Sequence, residues 1–218
     1  MQRKTGLPVF IDNDANLMTL AEARIGRAKG KTNVIGITLG TGVGGGIIVQ
    51  GKLYRGSSLS AGEIGHLPLN ESGPKCPCGG TACLERYVGN SRILDQAKKS
   101  FGETISLEEL SRLAKSGNKR AKKIWENTAS HLGVALSGVV NFFNPDTIVI
   151  GGGVAKAGKI IFNTVRKVIR ARSMPTSARA VRIVKAKLGN DAGMIGAGLL
   201  IKEELHPALT SKGGVHKK

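Results

Sequence analysis

Along the 218 residues, apolar and polar positions switch between two periods. Short apolar runs bounded by Gly, Asn or Pro predict strands, and apolar residues recurring every three or four positions predict helices. PVFIDN, residues 8–13, reads as a short buried strand. DANLMTLAEARIGRA follows as a helix, with Asn13 or Asp14 suited to cap it and Leu17, Leu20, Ala21 and Ile25 along one side. NVIGITLG is a second strand, and GGGIIVQGKLYRG reads as strand, turn at Gln50-Gly51, strand. LERYVGNSRILDQAKK and SLEELSRLAKSG predict helices, the latter opening on Ser106 and Glu109 at capping-box spacing.

The most apolar helix is predicted for KRAKKIWENTASHLGVALSGVVNFFN, stopped at Asn144-Pro145 because proline cannot continue it. TIVIGGG is a strand running into glycines, followed by a helix around GKIIFNTVRKVIRAR, a strand in AVRIVKAKL and a last helix in DAGMIGAGLLIKEEL. Residues 205–218 read as a basic flexible tail. Such alternation predicts an α/β fold with helices packed on a sheet.

Composition narrows the classes. With 40% apolar and 22% charged residues the chain suits one sizeable core. No apolar run reaches the ~20 residues of a bilayer span, and the N-terminus has no apolar stretch ahead of a cleavage site, so the expected address is the cytoplasm. The net charge is +18, with thirteen Lys and Arg against seven Asp and Glu in residues 1–100 and twenty against eight in 101–218. At 4% aromatics there is no stacking platform for single strands, and no helix-turn-helix or zinc-finger spacing occurs. A solvated basic face is favoured over a nucleic-acid partner.

The three cysteines fall within eight positions, Cys76, Cys78 and Cys83, ten residues after His66. One imidazole and three thiolates form a recognised set for tetrahedral structural zinc, and Pro74 and Pro77 limit the freedom of the loop before metal arrives. Four protein ligands close the site, so this zinc would brace a loop rather than activate water. Glu63 and Glu85 bracket the cluster, and two fixed acceptors suit the hydroxyls of a polyol or sugar.

LGTGVGGG, residues 39–46, follows a strand, so its N–H groups could converge on phosphate; a glycine-rich β-turn without ligand is the alternative. It matches a G-x-G-x-x-G string, but a hairpin rather than a helix is predicted after it, against a dinucleotide fold. Asp14 lies at a strand-to-helix junction, either as a plain cap or as a base taking a proton from a sugar hydroxyl during phosphoryl transfer.

NDAN at 13–16, LGTGVGGG, AGEIGH at 61–66, CPCGGTACLE at 76–85, NPDTIVIGGGV at 144–154 and DAGMIGAGLL near the end together resemble the ROK family of repressors, uncharacterised reading frames and sugar kinases. The resemblance implies an actin-like ATPase (ribonuclease H-like) fold, two lobes closing on a sugar and ATP. By it, Asp14 is the catalytic base, and Asn13, Glu63, His66 and Glu85 bind the sugar. Gly40, Thr41 and Gly42 lie near the ATP phosphates, and Gly151, Gly152 and Gly153 near the nucleotide. Zinc falls on His66, Cys76, Cys78 and Cys83, with magnesium accompanying ATP.

Glucose is the commonest substrate of kinases with this pattern, and homo-oligomers are the family habit. The alternatives are a sugar-responsive repressor and an inactive remnant. Two departures stand out: Ala82 replaces a usual glycine, and the Asp-x-Gly-x-Thr loop of the family's N-terminal lobe is absent. The expectation is therefore that residues 1–204 form mainly the C-terminal lobe.

Overall fold

The computed structural model describes residues 2–205. In chain order the elements are α1 (Gln2–Thr5), α2 (Asp14–Arg24), β1 (Val34–Leu39), β2 (Val43–Val49), β3 (Lys52–Leu53), α3 (Glu85–Val88), α4 (Asn90–Phe101), α5 (Leu107–Lys115), α6 (Lys119–Phe143), β4 (Thr147–Gly152), α7 (Lys159–Arg172), α8 (Pro175–Ala180), β5 (Arg182–Lys185) and α9 (Ala192–Leu205).

The sheet runs in the order β3-β2-β1-β4-β5. β1 pairs antiparallel with β2 and parallel with β4, and β5 extends β4 in parallel. This is the α/β, actin-like ATPase (ribonuclease H-like) arrangement expected from the sequence. Successive side chains of a strand point to opposite faces, and the core divides accordingly. Ile35, Ile37, Leu39, Ile148 and Ile150 pack with Leu132, Leu136, Val165 and Ile169 of α6 and α7. Val34, Ile48 and Val149 pack on the other side with Leu20 of α2 and Leu200 of α9.

α2 is buried almost all round because sheet and α9 enclose it, although Ile25, expected on its apolar side, is 46% exposed. The α2 face of the sheet is paved with small residues for this reason. A Cβ on Gly46 would lie 2.7 Å from the Ala15 carbonyl oxygen, as well as colliding with Thr19 Oγ1. Glycine here lets a helix approach a strand closely.

Four local expectations are corrected. Residues 8–13 form no strand: Ile11 is 91% exposed, and the run has no neighbouring strand to pair with among the described residues. The helix expected over 84–99 is two helices divided at Gly89. α8, with Pro175 in its first turn, was not foreseen. Ser106 Oγ does accept from Glu109 N at 3.0 Å, but the Glu109 carboxylate turns to Arg112 instead of closing the capping box. Of the tail expected over residues 205–218, Leu205 is the last residue of α9, and the rest lies outside the described residues.

Candidate active site and metal centre

The site grows from the turn joining β1 to β2. Gly40 N donates to Gly42 O at 3.0 Å, closing the turn, and Thr41 at its tip is exposed. Leu39 and Thr38 lie opposite Gly152 and Gly151 across the parallel ladder. The two glycine groups predicted separately from sequence therefore stand side by side at the carboxyl ends of β1 and β4. That is where ligands bind in open α/β sheets.

Three further segments dock on the start of β2, just past this turn. The first is the start of α2. Asn13 is the cap, its Oδ1 accepting from Ala15 N at 2.8 Å, which leaves Asp14 free of that duty. Ala15 packs on Gly44, where a Cβ would sit 2.9 Å from its own. The neighbouring Asp14 is exposed, with no hydrogen bond or ion pair among the described residues.

Just upstream, Asp12 is bound instead, to Arg55 at 2.7 Å and to Asn16. Burial would raise the Asp12 pKa. Hydrogen bonds from Asn16, Arg55 and the Asn13 amide outweigh that and hold it below the ordinary value.

The second segment is the loop of residues 62–66. Gly62 packs main chain against Gly45, where a Cβ would come 2.6 Å from the Gly45 oxygen. The short 3-10 turn Ile64–His66 then presents His66 beside Glu63, with Nε2 to Oε2 at 3.8 Å. The third is α3, whose first residue, Glu85, accepts from Val43 N at 3.2 Å. Glu85 thus links the end of the cysteine loop directly to the glycine turn.

The cysteine loop has little regular structure. It is closed by single bridges, Pro68 with Cys83 and Lys75 with Thr81, and by the Cys76 N to Gly80 O bond of 2.9 Å. Its donor atoms nevertheless converge. One atom each from His66, Cys76, Cys78 and Cys83 lies within 4.8 Å of the others. Cys78 and Cys83 sulfurs are 3.7 Å apart, far beyond a disulfide bond, and Cys76 Sγ is 3.7 Å from His66 Nδ1. A tetrahedral ion with Zn–S bonds of ~2.3 Å would set its sulfurs ~3.8 Å apart. The donor set and its spacing fit zinc.

Ionisation follows the crowding. Burial, then hydrogen bonds with Cys76 and Cys78, push the Cys83 thiol up to about 12. The Gly80 amide, with help from Cys76, brings Cys78 down to about 7. Deprotonating all three thiols in so small a space would take a cation between them. Ala82, where glycine was expected, has φ of 57° and is fully buried, so the left-handed backbone is retained with an alanine in it.

Several contributing residues escaped sequence reading. Asn90 donates its N–H to Gly40 O at 3.0 Å, and its buried Oδ1 has no protein partner. The Gly-Asn pair at a helix start was the available signal. Glu22, fully buried in α2, accepts from the amides of Arg27, Lys187 and Leu188. Only the fold brings those amides to it. Tyr87 of α3 stacks on His131 of α6 with ring centroids 4.8 Å apart, and its hydroxyl meets Asn70 of the cysteine loop at 3.3 Å. No described helix is long and apolar enough to cross a membrane.

Comparison with known proteins places this geometry. A profile of the ROK family matches residues 1–204. A glucokinase of Halalkalibacterium halodurans is 36% identical, over 94% of this chain and 66% of its own length. A xylose repressor of Bacillus spizizenii is 30% identical over 93% of this chain, but only 53% of the repressor. The crystal structure of a ROK family glucokinase from Streptomyces griseus in complex with glucose and AMPPNP superposes with a TM-score of 0.81. It is 32% identical, covering 91% of this chain and 70% of that one.

Proposed function

This chain belongs to the ROK family, and from that membership we propose a glucokinase-type activity, the transfer of the γ-phosphoryl group of ATP to a hexose hydroxyl. The chain spans about two thirds of the length of the glucokinases it matches, and in this reading residues 1–204 would form one lobe of a two-lobed clamp. The supporting observation is the Asp14 carboxylate, unpaired among the described residues, exposed and next to Ala15, which packs on Gly44 two residues past the glycine turn.

In this reading the sugar lies between the start of α2 and the 62–66 loop. Asn13, Glu63, Glu85 and the Nε2 side of His66 hold its hydroxyls. Asp14 accepts the proton of the reacting hydroxyl while that oxygen bonds to the γ-phosphorus and the bond to the ADP oxygen breaks. Gly40, Thr41 and Gly42 orient the phosphates, and Gly151, Gly152 and Gly153 border the nucleotide. Magnesium brought with ATP supplies charge neutralisation. His66 Nδ1, Cys76, Cys78 and Cys83 would hold zinc. A zinc with four protein donors has no open position and supplies rigidity to the sugar-binding loop.

The test is Asp14→Asn in a version carrying the full length of the matched glucokinases. Turnover is expected to fall by about 10²–10⁴-fold, with glucose affinity by calorimetry within about twofold. Unchanged turnover would remove Asp14 from the chemistry. The similarity to a xylose repressor supports a second reading, a sugar-responsive regulator. A full-length protein that binds glucose but never turns it over would favour that reading.

A further inference from the structure

Between Asp146 and Asp191 the chain holds ten Lys and Arg and not one Asp or Glu. The fold gathers this stretch at one edge of the sheet, where α7 and α8 pack around the outermost strand, β5. Arg166, Arg170, Arg179 and Arg182 line a single groove of about 430 Å³ there. Arg166 and Arg170 also border an adjoining groove that Lys167 enters, so the two make one continuous cationic track.

No carboxylate neutralises it. The ion pairs among the described residues use Arg24, Arg55, His66, Arg92 and Arg112, none of them on this edge. Arg166 is engaged structurally, donating to Ile183 O at 2.8 Å with its guanidinium 5.8 Å from the Phe162 ring. Arg170, Arg179 and Arg182 are exposed.

We propose that this edge binds the phosphate backbone of double-stranded nucleic acid without reading its sequence. Unpaired like charges held close together favour a polyanion. Forked guanidinium groups match phosphate oxygens with paired hydrogen bonds. Two features of the stretch argue against other partners. Phe162, the one aromatic in the stretch, is 6% exposed, so bases have nothing to stack on and single strands are not favoured. Ile169, Ala178, Val181, Ile183 and Val184 also line the groove, but Ile169, Ala178 and Ile183 are buried. Met174 is the stretch's one exposed large hydrophobic residue, so the surface offered to a partner is mainly cationic. α7 buries Ile161, Phe162, Val165 and Ile169 and is thereby held flat, which suits contact along a backbone rather than insertion into a groove.

Fluorescence anisotropy with labelled 20-base-pair DNA of two unrelated sequences tests this on the chain as it stands, from 50 to 200 mM salt. Equal affinities for the two duplexes are expected, weakening steeply with salt. The triple variant Arg170→Gln, Arg179→Gln, Arg182→Gln should bind about tenfold or more weakly, with a salt slope shallower by about 2–3. The control Lys98→Gln, Lys99→Gln, Lys122→Gln removes the same charge from α4 and α6 and should bind as the parent does. Equal losses in both triples would reduce the effect to net charge and overturn the site. So would absence of binding at 50 mM salt, or a preference for one sequence. Equal affinity for polyglutamate of matched charge would assign the groove to an acidic protein instead.

Discussion

Two loops meet at Val43 and are held by opposite means. The glycine turn is the end of a ladder: its strands pair from Val34 to Leu39 with partners on both sides, and α2 is seated against its small residues. The cysteine loop has two isolated bridges and four converging side chains. One region is ordered by its backbone and its core; the other has few main-chain ties and a set of converging donor atoms that, as proposed above, a metal ion would join. The difference teaches that the glycine turn comes with the fold, whereas on the reading proposed above the cysteine loop would take its order from an ion that the fold itself does not provide.

Removing the metal separates the two most strongly. Chelation, or Cys83→Ser, should abolish stoichiometric zinc, since structural sites bind with apparent free energies on the order of 10 kcal/mol. Amide exchange should then accelerate across residues 67–84 while β1, β2 and β4 stay protected. Rapid exchange in the sheet as well would show that the two regions are not independent.

Gly46→Ala attacks the other side. The added carbon lies 2.7 Å from the Ala15 carbonyl, a main-chain atom that cannot step aside. A loss of about 1–3 kcal/mol by denaturant titration is expected, with zinc content by atomic absorption unchanged at one per chain.

Ala82→Gly sharpens the contrast in the opposite direction. Relieving an alanine at φ of 57° should stabilise the zinc-loaded protein by about 1 kcal/mol, less what the buried methyl group contributes. The melting temperature checks it.

The smallest effect concerns the link between the cysteine loop and the core, Tyr87 on His131. Burial lowers the His131 pKa from its ordinary 6.5. The unfolded chain therefore takes up the proton first, and stability falls as pH drops below about 6.5. His131→Phe keeps the ring contact and removes the proton. The melting temperature of this variant should fall less than that of the parent between pH 7.5 and 5.5, with metal content monitored in both.

Much of this was legible in the chain. β1, β2, α5, α6 and α9 announce themselves by periodicity, and the Gln50-Gly51 turn by its glycine, whose φ of 77° suits that residue. The cysteine cluster was legible because its ligands lie within eighteen residues of one another. The run at 8–13 misled because an apolar stretch reports a wish for burial and not the presence of a partner strand. The glycines of LGTGVGGG misled in part too. Gly44 and Gly46 serve the approach of α2, and only the turn at 40–42 is presented outward.

By itself the sequence determined the β1–β2 hairpin, most of the longer helices, the crowding of His66 with three cysteines and the family, because each is written in spacings along a short length of chain. The tertiary structure alone decided that Asn13 rather than Asp14 caps α2. It also decided that Glu85 reaches the Val43 amide, that Glu22 is buried against three amides, and that the carboxylate-free stretch forms one edge. Those are contacts between residues tens to more than a hundred positions apart, or choices between neighbouring side chains. Their free energies depend on what packing places opposite each group, which no local pattern encodes.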